Sequence, residues 1–162
     1  MFRKFKKQSN PSPLLSSELF DEHSFYKEFS KDIRIAQDEI VIESPYITMR
    51  RASEISPLLK RAIWRGVRVS IYTRNPNHHD GILITESVKG IEVLKSIGVK
   101  VYTCNDMRHR KLAMIDGYIL WEGSLNMLSQ DGSKEVMRRI VSEDLCQQML
   151  LFTQAKTRHQ NK

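Results

Sequence analysis

Cysteine is almost missing from this chain, and that scarcity narrows the possibilities first. Only Cys104 and Cys146 occur in 162 residues, far apart and in no metal-ligand spacing. Neither a disulfide framework nor a cysteine metal centre can organise such a fold, and both thiols are expected to be reduced. Long apolar runs are lacking too. Stretches such as "LCQQMLLF" near the C-terminus fall well short of a bilayer span, so no stable membrane insertion is expected. The N-terminus "MFRKFKKQSN" is basic, but no hydrophobic core follows it. It does not read as a secretory signal, and a cytoplasmic protein is expected. Internal repeats are absent, so any motif occurs once. Aromatic residues are few, at 8%, with nothing like a base-stacking platform. That argues against sequence-specific readout of nucleic acid by this domain alone.

What is present fits one soluble globular domain. The length suits a single core, and hydrophobic and charged fractions of 40% and 28% are ordinary. Lys plus Arg outnumber Asp plus Glu by 26 to 19, a net charge of +7. Such a balance favours a polyanionic partner, either nucleic acid or an anionic membrane surface.

Residues 1–17, with basic residues and then "QSNPSPLLSSE", read as a flexible basic tail, leaving 18–158 for the folded domain. Apolar residues from Leu19 to Ile35 recur at near-helical spacing and predict a first helix. "EIVIESPYI" reads as a buried strand. A helix through "SEISPLLKRAIWRG" follows, with Ser53 as N-cap and Gly66 as stop. Then come the strand "VRVSIYTRN", a helix ending at Gly98, and the strand "VKVYTCN". "HRKLAMID" and "YILWEGS" form two more strands about an Asp-Gly turn, "EVMRRIV" another. An amphipathic helix capped by Ser142 closes the chain, with Leu145, Met149 and Phe152 facing inward. Strands alternating with helices predict an α/β fold: a mixed, mostly parallel sheet flanked by helices.

The chemistry concentrates in "HRKLAMIDGYILWEGSLN", His109 to Asn126. In a strand, alternate residues share a face, so His109 and Lys111 would project together. A hairpin would bring Ser124 and Asn126 to the same spot. An imidazole, an ammonium, a hydroxyl and an amide suit a phosphate: Lys and Asn donate to its oxygens, and His attacks phosphorus or moves a proton. Asp116 sits in the turn, where its carboxylate serves either that turn or the chemistry.

This arrangement resembles the phospholipase D superfamily, whose mark is H-x-K, four residues, D, then G-S-x-N. Here it reads His109, Lys111, Asp116, then Gly123, Ser124 and Asn126, with the spacing intact. The resemblance implies that Glu135, downstream of the Gly-Ser element, is a carboxylate that orients the histidine and sets its tautomer and pKa. It also implies chemistry without a metal or other cofactor. One histidine cannot be nucleophile and acid at once, and members with a single motif are similar to short bacterial nucleases that dimerise. A two-fold homodimer sharing one site is therefore expected. Length, charge and the single motif favour a nuclease acting on DNA or RNA. A lipid hydrolase at anionic membranes and a catalytically silent nucleic-acid-binding module are the alternatives.

Arg74, Arg108, Arg110 and Arg138 are the candidate contacts to a nucleic-acid backbone, a solvated charged surface being the plainer reading. His78, His79 and Asp80 invite a metal reading, but neighbouring histidines seldom point the same way, and a loop accounts for them. Trp64 and Trp121 could serve the core or a subunit contact.

Overall fold

A computed structural model describes residues 16–129 and 131–158. Its elements run β1 (Ser16–Asp21), α1 (Phe25–Ile35), β2 (Glu39–Glu43), α2 (Met49–Trp64), β3 (Arg68–Arg74), a 3-10 turn (Pro76–His78), α3 (Ile82–Ser96), β4 (Lys100–Cys104), β5 (Leu112–Ile115), β6 (Ile119–Gly123), β7 (Val136–Val141) and α4 (Glu143–Arg158). The seven strands form one sheet in the order β1-β7-β6-β5-β2-β3-β4.

The sheet is mixed, but the expectation of a mostly parallel one is corrected. Only β2–β3 and β3–β4 pair in parallel; the other four pairings among the described residues are antiparallel. Parallel neighbours need a crossover of a dozen or more residues, usually helical. Helices α2 and α3 supply it for β2, β3 and β4. No helix separates β5, β6 and β7, so these double back.

Two further readings change. The segment expected to open the first helix is instead β1, which pairs with β7. Ser16 and Ser17, assigned to the tail, belong to this strand; residues 1–15 lie outside the described residues. Helix α2 begins at Met49, with the Thr48 hydroxyl accepting from Arg51 N, so Thr48 and not Ser53 is its cap.

Period-two alternation divides the sheet into two faces. Ile40, Ile42, Val69, Ile71, Ala113, Ile115, Ile119, Trp121 and Met137 join the core built with α1, α2 and α3. Each large side chain buried there contributes about 1.5–3 kcal/mol. Trp121 is fully buried, and its indole donates to Asp32 Oδ2 at 2.8 Å, whereas Trp64 is 76% exposed. On the opposite face Leu112, Met114, Leu120 and Ile140 pack beneath α4 with Cys146. Ser142 does cap that helix, accepting from Leu145 N at 3.2 Å. Phe152 is 52% exposed, however, and does not face inward as expected.

This topology gathers several chain segments at one rim. Strands β2, β3 and β4 run in parallel and end at the same edge of the sheet. Because β5 is antiparallel to β2, it starts at that edge; β6 ends there and β7 starts there. The loops after β2, β3, β4 and β6 therefore meet beyond the carboxyl ends of the parallel strands, the customary place for ligands in open α/β sheets.

Candidate active site

His109 and Lys111 lie at this rim, in the approach to β5 rather than inside a strand. The ladder still reaches Lys111, whose carbonyl accepts from Gly123 N at 3.3 Å. His109 is exposed. The Lys111 ammonium sits 2.6 Å from His109 Nδ1 and donates to the His109 carbonyl at 2.8 Å. An ammonium has only donors, so in this contact Nδ1 is the accepting nitrogen. Desolvation lowers the His109 pKa, and the charges of Lys111 and Arg74 lower it further. Desolvation also lowers that of Lys111, which Glu135 partly offsets.

The second half of the motif follows β6. At Gly123 an added Cβ would lie 2.1 Å from the Val136 carbonyl oxygen and 2.8 Å from Met137 Sδ, so only glycine allows β6 and β7 to approach this closely. The Ser124 hydroxyl donates to Glu135 Oε2 and accepts from Val136 N at 3.1 Å. The Ser133 hydroxyl donates to Glu135 Oε1 at 2.7 Å. These two hydroxyl donors hold the Glu135 carboxyl below its ordinary range. The resemblance implies that Glu135 orients His109; in the structure its carboxylate accepts from Ser124 and Ser133 and its charge acts on Lys111, the neighbour of His109, while the charges acting on His109 itself are cationic. Asn126 is half-buried, and its Oδ1 is buried without a partner among the described residues. An orphaned acceptor beside a site is uncommon enough to suggest use by a ligand or a water.

Asp116 stands at the opposite edge of the sheet, in the β5–β6 turn, with φ 53°. Its carboxylate accepts from the backbone N–H groups of Gln37 at 2.9 Å, Asp38 at 2.8 Å and Glu39 at 3.0 Å. Burial pushes its pKa up, but those three donors and Arg65 outweigh it and leave the carboxyl below its ordinary value. These contacts tie the β5–β6 turn to the adjoining α1–β2 loop.

The four arginines separate. Arg74 lies within electrostatic reach of His109 and donates to the Tyr46 hydroxyl at 2.9 Å; its buried Nε has no partner among the described residues. Arg138 is exposed and donates to Ser17 Oγ at 2.7 Å. It lines a groove of about 450 Å³ with Arg110 and Lys111, floored by Leu112 and Met149. Arg110 is partly buried against Glu43. Arg108 is corrected outright: its side chain is 3% exposed and ion-paired to Asp106 and Glu43, so it cannot track a polyanion.

Two residues at the rim escaped the sequence reading. The Tyr46 ring meets His109 edge-on at 6.1 Å and His79 at 4.9 Å. Its only clue was an aromatic in "SPYIT" just past a strand end. Glu43 is buried, and a carboxylate inside the otherwise apolar run "IVIES" was the visible hint. His78 is exposed and His79 buried, as adjacent residues pointing apart would be. Among the described residues no three His, Cys, Asp or Glu side chains could hold a metal ion together.

Comparison with known proteins places these features in a group. A family model described as "Cardiolipin synthase, PLD-like domain" matches residues 29–153. Cardiolipin synthase A of Proteus mirabilis is 30% identical over 111 residues, 67% of this chain; the match spans only 22% of that protein's length. Among solved structures, the phospholipase D family member Nuc from Salmonella typhimurium superposes with a TM-score of 0.73 at 19% identity, covering 87% of this chain and 93% of Nuc. NucT from Helicobacter pylori gives 0.69 at 20% identity, covering 87% and 94%.

Proposed function

The chain belongs to the phospholipase D-like domain family, and from that premise we propose that it is a phosphodiesterase that cuts DNA or RNA through a phosphohistidine, without a metal, at a site completed by a second copy of the chain. The observation that carries this reading is an exposed imidazole in contact with an ammonium at the rim where the loops converge. When a phosphodiester arrives, Lys111 moves from Nδ1 to a non-bridging oxygen. A His109 ring nitrogen, unprotonated, attacks phosphorus, and the bond to the leaving oxygen breaks. The second copy's His109, protonated, gives its proton to that oxygen. It then takes a proton from water, which attacks the phosphorus and breaks the P–N bond, returning both rings to their starting states. Lys111 and Asn126 stabilise the oxygens of the transition state, and each such donor is typically worth ~3–4 kcal/mol.

The need for a second imidazole argues for two copies. His79 packs on Tyr46, but both its ring nitrogens are buried, which argues against it as the proton donor. Glu135 and Ser124 act by shaping the β6–β7 loop that presents Asn126. Net charge of +7 and Arg74 beside His109 favour a polyanionic chain as substrate.

A lipid substrate is the second reading, favoured by the identity to cardiolipin synthase A and by the description of the matching family model. No helix among the described residues is long and apolar enough to cross a membrane. One assay separates the readings: purified protein is given plasmid, single-stranded DNA, RNA and anionic vesicles, each with excess chelator. Nucleic-acid cleavage that survives chelation, falls steeply with salt and disappears in His109→Ala is the expected result. Hydrolysis confined to vesicles would overturn the nuclease reading. Activity of a species that sedimentation shows to be monomeric would overturn the shared site.

A further inference from the structure

Glu43 lies 66 residues before His109, yet both neighbours of His109 end on its carboxylate. Arg110 donates from Nε to Glu43 Oε1 at 2.6 Å, and Arg108 Nη1 lies 3.5 Å from the same oxygen. Arg108 is held again on its other side, with Nε 2.8 Å from Asp106 Oδ1 and Nη2 2.6 Å from Asp106 Oδ2. The Glu43 side chain is 4% exposed. Side chains at 108 and 110 thus turn toward Glu43, and His109 between them is left at the surface.

Residues 105–111 belong to no helix or strand and include Met107 at φ 52°. A full sheet ladder is not available to fix the imidazole there. We propose that Glu43 is a positioning residue: its carboxylate, acting through Arg108 and Arg110, holds His109 where it meets phosphorus. This rests on the reading of His109 as the reacting group. The device depends on charge. A glutamine of the same shape would leave Arg108 with Asp106 alone and take from Arg110 its carboxylate partner, and breaking a buried ion pair by removing one partner is costly. The arginines would relax toward water and carry His109 with them. A displacement of about 1 Å is enough to cost roughly 100-fold in rate.

The test measures kcat and KM on a chromogenic diester, bis(p-nitrophenyl) phosphate, for the wild-type protein, Glu43→Gln, Glu43→Asp, Arg110→Gln and the double variant Glu43→Gln/Arg110→Gln. The expected result is a kcat lowered about 10–100-fold in Glu43→Gln with KM within about twofold. Glu43→Asp should recover part of the loss, and the double variant should be no worse than the poorer single. Unchanged kcat in Glu43→Gln, a loss confined to KM, or effects of the singles that multiply would overturn the tether. If Glu43→Gln does not fold, Arg110→Gln, at the more exposed end of the cluster, carries the same expectation for kcat. Ring nitrogen NMR signals of His109, assigned by their loss in His109→Ala, give a readout independent of turnover. They should shift or broaden in Glu43→Gln or Arg110→Gln while those of His23 stay put; unchanged His109 signals would overturn the proposal. A wild-type protein inert toward every diester would sink the functional reading, and the spectra would still decide the tether.

Discussion

Replacing Asp116 by alanine should weaken the fold and leave the chemistry of folded molecules intact, although Asp116 belongs to the very motif that marks the site. Its carboxylate satisfies three successive backbone donors, Gln37, Asp38 and Glu39. The first two are exposed and can turn to water, so their loss resembles that of a helix cap, about 0.5–2 kcal/mol. The Glu39 amide is partly buried and loses more, about 1–3 kcal/mol. A net cost of about 1.5–5 kcal/mol follows. For a domain of this size that lowers the melting temperature by about 3–20 °C. The pH dependence has a definite sign. The Asp116 pKa is depressed in the folded state, so its contribution is complete above the unfolded carboxyl's pKa, near 4, and fades as pH falls through the lower folded value. The difference between wild type and Asp116→Ala should therefore be constant near neutrality and shrink below about pH 4. Urea titrations at several pH values measure it, alongside turnover per folded molecule. An Asp116→Ala protein of wild-type stability that has lost turnover more than about 100-fold would refute the assignment, since that is the signature of a group acting in the transition state.

Further outcomes follow from the same geometry. Arg108→Ala should destabilise by about 3–5 kcal/mol, because it removes the ion-pair partner of Asp106 and one of the two arginines on buried Glu43, whereas Arg74→Ala should weaken nucleic-acid binding and flatten its salt dependence by about one contact; denaturant melts and binding across a salt series tell them apart. Gly123→Ala should cost at least about 1–3 kcal/mol, since the new methyl would strike the Val136 carbonyl; a thermal melt checks it. The His109 ring should titrate below the ordinary 6.5 of imidazole, by NMR of the unliganded protein, and Lys111→Met should raise that value by removing a facing charge.

Residues whose role is set by neighbours in sequence were legible; those set by distant pairing were not. The β2–β4 strands and their helices follow from alternation and helical period, and the motif fixed which residues to watch. Strand β1 was missed because Ser16–Asp21 is an almost wholly exposed edge strand, with no apolar alternation to betray it; its identity comes from β7. The parallel count erred because a strand pattern is silent about direction once no helix separates the strands. Arg108 looked like a phosphate contact because it adjoins His109, and only Glu43, brought in by the β2–β5 pairing, shows it to be buried. Asp116 and Glu135 were singled out as candidate site carboxylates, and in the structure their partners are backbone amides and serine hydroxyls. Spacing alone carries no information about which partner a carboxylate meets.

The two rims of the sheet divide labour, and that division has a practical use. Gly66 and Gly98 close helices α2 and α3 at the edge away from His109, both exposed and at positive φ. Surface turns of this kind accept inserted sequence most readily. A reporter spliced in there would hang from the far side of the sheet, leaving the rim that carries His109 clear.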